Sequence, residues 1–196
     1  MRRLTGLAAA GAATVAGVTM LAGCASGGFT VGSGSEPVDP ECPEVLPRPD
    51  AAERDREPTV EVGDIGLETA WLCRYADTGE AQPGEWPYYT WALTDGPAPI
   101  PGENLGDVAE ALGTLEPVPD DLACMADLGP VWLLVLEGEE RYGVAIEEFG
   151  CRMTSVVADP WAHVEGEPYP GISGTVLGSD ELIASLRDAA GVTWSR

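Results

Sequence analysis

Asp159, Trp161, His163 and Glu165 stand two residues apart within the stretch Ala158 to Ser173, ADPWAHVEGEPYPGIS. In extended backbone that spacing turns all four side chains to one side, joining an indole wall, two carboxylates and the chain's one imidazole. Such a set suits recognition of a partner or weak binding of a cation. The competing expectation is an ordinary surface loop in which Trp161 tucks into the core and His163 faces water. A second group, Glu85-Trp86-Pro87-Tyr88-Tyr89-Thr90-Trp91, alternates Trp86, Tyr88 and Thr90 against Pro87, Tyr89 and Trp91. One of its faces must meet a core, and the other could offer an aromatic platform to a sugar or peptide. Packing of an edge strand that carries a proline explains the same pattern.

Composition removes other chemistries. The ten basic residues are all arginine, which excludes a phosphate-binding P-loop lysine, a Schiff-base lysine and a Ser-x-x-Lys nucleophile. One histidine leaves no room for a multi-histidine metal site, and neither a metal nor a cofactor is expected. The run Gly171-Ile172-Ser173-Gly174-Thr175 lacks the last glycine of a nucleophile elbow, so no catalytic residue is assigned. Thirty-three acids against ten bases, a net charge of -23, repel phosphate backbones and exclude nucleic acid as a partner. So many carboxylates also supply pairs suited to glycoside hydrolysis, but their separations are three-dimensional and are not written in the chain. Glu137, Glu139, Glu140, Glu147 and Glu148 read as a solvated acidic face.

At the N-terminus, Arg2 and Arg3 precede an uncharged run from Leu4 to Ala22, the layout of a signal peptide. The run is dominated by alanine and glycine and no basic stop-transfer cluster follows, which argues against a spanning helix. The tetrapeptide Leu21-Ala22-Gly23-Cys24 resembles the lipobox of bacterial lipoproteins. The resemblance implies that the Cys24 sulfur carries a thioether-linked diacylglycerol with palmitate-type chains, and that cleavage falls just before it. Residues 1–23 would then be a lipoprotein signal peptide. The product would sit on the outer face of the cell membrane, held through the lipid on Cys24; two acyl chains, at about 0.8 kcal/mol per buried CH₂, make such an anchor stable. Residues 24–41, rich in Gly, Ser and Pro, read as a flexible tether, and residues 42–196 as one domain.

Setting Cys24 aside leaves four of the five cysteines: Cys42, Cys73, Cys124 and Cys151. Export places them in an oxidising compartment, where four read as two disulfides with three possible connectivities. The apolar runs Val131 to Glu137 and Arg141 to Phe149 flank Gly138-Glu139-Glu140 and predict a hairpin. Pairing Glu137 with Arg141 sets Cys151 opposite position 127, beside Cys124. The expected bridges are therefore Cys124 to Cys151 and, by elimination, Cys42 to Cys73. Each closes a loop of about thirty residues, worth roughly 3–4 kcal/mol in the chain-entropy account.

Further strands are expected at Thr59 to Val62, Gly66 to Tyr75, Trp86 to Leu93 and Cys151 to Val157. Helices are expected from Glu103 to Leu115 and from Asp180 to Ala190. The first carries Leu105, Val108, Ala109 and Leu112 on one stripe. The second has Ser179 as its cap, two acids in its first turn and Gly191 past its end. Both faces of Trp132-Leu133-Leu134-Val135-Leu136 are apolar, which predicts a strand covered on both sides. The fold class expected is α+β: one mainly antiparallel sheet with two helices packed on it and two disulfides.

The order Cys73-Arg74-Tyr75, amphipathic helix, Cys124, apolar strand, Gly150-Cys151 and C-terminal helix resembles small uncharacterised actinobacterial lipoproteins. That family carries no assigned activity and implies no site residues. The function expected is a lipid-anchored extracytoplasmic binding or interaction module, with an envelope protein or glycan as partner. The alternative is a carboxylate-dependent hydrolase acting on envelope carbohydrate.

Overall fold

The structure, a computed structural model, describes residues 39–47, 62, 65–78, 91–124, 129–162 and 172–194. Among these residues seven strands and two α-helices follow one another: β1 (Thr69–Asp77), β2 (Trp91–Ile100), α1 (Leu105–Leu112), β3 (Glu116–Pro117), β4 (Val131–Glu137), β5 (Arg141–Glu147), β6 (Met153–Ala158), β7 (Ile172–Leu177) and α2 (Asp180–Ala189). The strands form one sheet in the order β2-β1-β4-β5-β6-β7-β3, antiparallel at every pairing. This is the α+β architecture expected, with both helices contributing to the apolar cluster on one face of the sheet.

The hairpin register is the one expected from the Gly138-Glu139-Glu140 turn and the charges that flank it: Glu137 opposes Arg141 and Val131 opposes Glu147. The strand β4 lies inside the sheet, and Val131 through Leu136 are all buried. Alternation divides it between two cores. Trp132, Leu134 and Leu136 join Leu72, Val144, Ile146 and Val156 beneath the helices. Val131, Leu133 and Val135 join Trp71, Cys73, Tyr75 and Ala145 on the opposite face.

The helices bury the predicted stripes, Leu105, Val108, Ala109 and Leu112 on α1 and Leu182, Ile183 and Leu186 on α2. The Ser179 hydroxyl accepts from the Leu182 N–H at 3.0 Å, satisfying one of the donors a helix start leaves open. At the other end Gly191 takes φ +64°. There Gly191 N–H donates to Asp188 O and Val192 N–H to Arg187 O, the pair of bonds that ends a helix when a glycine turns left-handed. The chain then folds back as residues 192–194, and Trp194 packs on the core.

Among the described residues the second face is covered by a strap rather than by a helix. Residues 41–46 cross it, with Cys42 and Leu46 in its core. The indole N–H of Trp71 donates to Glu41 O at 2.6 Å, and the Tyr75 hydroxyl donates to Pro43 O at 2.6 Å. Each polar atom of these large side chains thus reaches a backbone carbonyl, the condition for burying them. Burial pushes the Tyr75 phenol well above its ordinary pKa. The disulfide Cys42–Cys73 pins the strap to β1, and Cys124–Cys151 joins the loop before β4 to the turn before β6. Both expected bridges are present.

Several boundaries differ from expectation. The strand expected from Trp86 to Leu93 starts, among described residues, at Trp91 and continues to Ile100 through Pro97 and Pro99. An edge position tolerates those prolines because the outward N–H groups have no ladder to join. Gly96 makes the path possible: it has φ +112°, and a Cβ there would come within 2.8 Å of Leu72 O and 3.1 Å of Cys42 Sγ. The register of β1 against β2 shifts at this point, between Leu72 and Arg74. The segment Ile172–Leu177, whose first two residues fall in the stretch read as a loop, is β7, and Glu116–Pro117 is a short strand paired to it. Of the strand expected at Thr59 to Val62 only Val62 is described, in a helical turn; the rest lies outside the described residues. No helix among the described residues is long and apolar enough to cross a membrane.

Candidate functional site

The loop singled out for Asp159, Trp161, His163 and Glu165 is described as far as Ala162. There the backbone leaves the extended path on which the shared-face expectation depends. Alternation requires extended backbone, but β6 ends at Ala158 and the chain turns at once. Asp159 takes φ +50°, a conformation that aspartate tolerates better than most residues, and Ala162 N–H donates to Asp159 O at 3.0 Å. The exposed Asp159 carboxylate accepts from the Trp161 N–H at 3.3 Å. His163 and Glu165 lie outside the described residues.

Trp161 is half-buried against the strap-side core. Its ring centroid is 6.4 Å from that of Trp71, tilted by 54°, and the Arg141 guanidinium lies 4.6 Å from its centroid, inside the range of a cation–π contact. Pro160 leads it there by packing on Gly143, where a Cβ would lie 2.8 Å from Pro160 Cγ and 3.0 Å from Leu133 Cδ1. Arg141 also makes two hydrogen bonds to the Glu137 carboxylate. The Glu137 bond raises the Arg141 pKa; burial opposes it, and the charges of Glu137, Asp159 and Glu41 add to it. Arg141 is thus a fixed cation roofing a tryptophan, and Trp161 is a packing residue that closes the strap face.

Of the aromatic strand group, Trp86 to Thr90 lie outside the described residues. Trp91 opens β2, half-buried on the strap-side core, and its indole N–H donates to Gly129 O at 3.4 Å. The acidic hairpin is only partly a solvated face. Glu137 is paired with Arg141, Glu140 accepts from the Tyr142 hydroxyl and thereby raises its pKa, and Glu148 is buried. Continuation of the β4–β5 pairing explains the last, since Glu148 N–H donates to Pro130 O and turns the side chain beneath the helices.

Glu148 belongs to a second cluster, on the helix-covered face, that sequence reasoning did not assemble. The buried Trp132 donates its indole N–H to Glu148 Oε2 at 3.0 Å. Trp194 stacks on Trp132 at 5.6 Å and 13°. Arg74, directly opposite Trp132 in the sheet, holds its guanidinium 5.7 Å from the Trp132 centroid, and Arg187 of α2 holds its own at 5.6 Å. Arg74 Nη1 donates to Asp95 Oδ2 at 3.0 Å and to Thr94 Oγ1 at 3.3 Å. Arg187 Nη2 donates to the Trp194 carbonyl at 3.1 Å. The one sequence signal that could have found part of this set is the Arg74–Trp132 opposition, which follows once β1 is aligned with β4. Nothing in the sequence ties Arg187 and Trp194 to them.

Among the described residues no three His, Cys, Asp or Glu side chains form a metal-binding group. No protein-family model, curated protein or solved structure matches the chain. The functional reading therefore rests on residue chemistry.

Proposed function

We propose that this chain is a lipid-anchored extracytoplasmic binding or interaction module, displayed on the outer face of the cell membrane. The observation that carries the reading is how the cysteines divide. Two disulfides take Cys42, Cys73, Cys124 and Cys151, and bridges of this kind belong to oxidising compartments. The fifth cysteine is Cys24, at the position in Leu21-Ala22-Gly23-Cys24 where the lipoproteins it resembles carry their lipid. The stretch from Cys24 to the strap that begins at Glu41 would then space the domain from the bilayer.

The test is metabolic labelling with an alkyne palmitate followed by detergent phase separation. The protein should carry label and enter the detergent phase, and Cys24→Ala should abolish both. Recovery of unmodified Cys24 behind an intact residue 1–23 segment in the membrane fraction would overturn the lipid anchor in favour of a spanning one.

A further inference from the structure

The cluster around Trp132 contains two donors left without an acceptor among the described residues. Arg74 Nε and Arg187 Nε are both buried and meet no acceptor among the described residues, although a buried donor normally finds one. Both guanidinium groups lie within 5.7 Å of the same indole centroid, one arriving from the sheet and the other from α2. A guanidinium presents its Nε–H beside an Nη–H as a fork that fits the two oxygens of one carboxylate. At Arg187 the fork is half used: Nη2 holds the Trp194 carbonyl, which brings a single oxygen, and Nε is left over.

Trp194 makes two contacts that together define a ligand. Its ring lies parallel on Trp132, and its own carbonyl sits on Arg187. In a tryptophan residue the ring and the carbonyl carbon are separated by two carbons. A free acid of the same outline would keep the stacking and offer Arg187 a second oxygen and a full charge. The indole N–H of Trp132 is already held at its edge by Glu148, which fixes the ring for stacking.

We propose that this cluster is a binding site for a small aromatic carboxylate, its ring and carboxyl carbon two carbons apart, and that Trp194 occupies the site in the structure described. Trp132 provides the stacking surface, Arg187 the carboxylate fork and Arg74 a second cation beside the ring. The segment after α2 is then a competitor that a ligand must displace. The assignment rests on the binding-module reading and names its ligand class. It does not depend on the anchor.

Calorimetric titration of the purified protein with 3-phenylpropionate tests it. Trp194→Ala removes the competing ring and should bind the probe at least about tenfold more tightly than the parent, since apparent affinity scales with the fraction of molecules in which the site is open. Adding Arg187→Lys to that variant should weaken binding about tenfold or more, because an ammonium cannot offer the fork. The uncharged 3-phenylpropanol should not bind. If Trp194→Ala loses its folded near-ultraviolet signature, Trp194→Leu keeps an apolar cover while removing the competing ring, and the same result is expected of it. A folded variant that binds no more tightly than the parent, that binds acid and alcohol alike, or that ignores Arg187→Lys would overturn the proposal. Failure of the titration would leave palmitate labelling of Cys24 untouched, and failure of labelling would leave the titration untouched, so the two readings fall separately.

Discussion

Replacing Trp161 with alanine separates a packing residue from a recognition residue. Trp161 is half-buried, so of the 150–250 Å² that a large aromatic can bury, about 100 Å² is removed from water here. At roughly 25 cal/mol per Å² that area is worth about 2–3 kcal/mol, an upper figure because unfolded chains already bury some of it. The Arg141 contact at 4.6 Å adds about 0.5–1 kcal/mol at a partly exposed site. The expected loss is therefore about 2–3 kcal/mol, less than the ~3–5 typical of a fully buried tryptophan. In a domain of this size each kcal/mol moves the melting temperature by about 2–4 °C, which predicts a fall of roughly 4–12 °C. Urea unfolding with disulfides intact, followed by circular dichroism, measures it, and Trp161→Phe should recover about half. A loss below about 0.5 kcal/mol, the range of an ordinary surface substitution, would refute the packing argument and return Trp161 to the candidate recognition residues.

Two further outcomes are expected. Tyr75 has a folded-state pKa above its ordinary value of 10.0, through burial, so the unfolded chain loses this proton first as pH rises. Its contribution is complete below about pH 10 and declines above it, by up to about 1.4 kcal/mol per pH unit for one phenol. Urea midpoints between about pH 8 and pH 11 should fall less steeply for Tyr75→Phe than for the parent, and equal slopes would refute the linkage. The two disulfides close loops with sequence separations of 31 and 27, so removing either costs roughly 3–4 kcal/mol through chain entropy. Removing Cys42–Cys73 should cost more, since the strap also loses its hold on Trp71 and Tyr75; urea unfolding of the two paired Cys→Ala variants would contradict this if the order were reversed.

What could be read in advance was local or strongly patterned. The β4–β5 hairpin follows from two apolar runs around Gly138-Glu139-Glu140, and α2 from Ser179, its first-turn acids and Gly191. The disulfides follow from the hairpin register, because placing one strand places Cys151. The Pro-containing course of β2 was illegible because proline argues against a strand unless the strand is known to be an edge. The short β3 exists only through its pairing with Val176 and Leu177. The Asp159 turn defeated the alternation argument because a reversal at Ala158 depends on where β6 stops. The Trp132 cluster joins Arg74, Glu148, Arg187 and Trp194 from four separate segments, and only the folded sheet brings them together.

The bond between Cys42 and Cys73 also changes how the domain is fastened to whatever lies before it. Residues 43–72 become a closed ring, and the chain that precedes Cys42 reaches the sheet by two covalent routes, the backbone and the sulfur bridge. A protease cut anywhere in that ring would leave the domain attached, whereas a cut before Cys42 would release it. A load drawn along the chain before Cys42 would cross the bridge to Cys73 and pass into β1, which is hydrogen-bonded on both sides, to β2 and to β4. The sulfur bridge would take the pull from Cys42 past the rest of the ring and deliver it to both ladders at once.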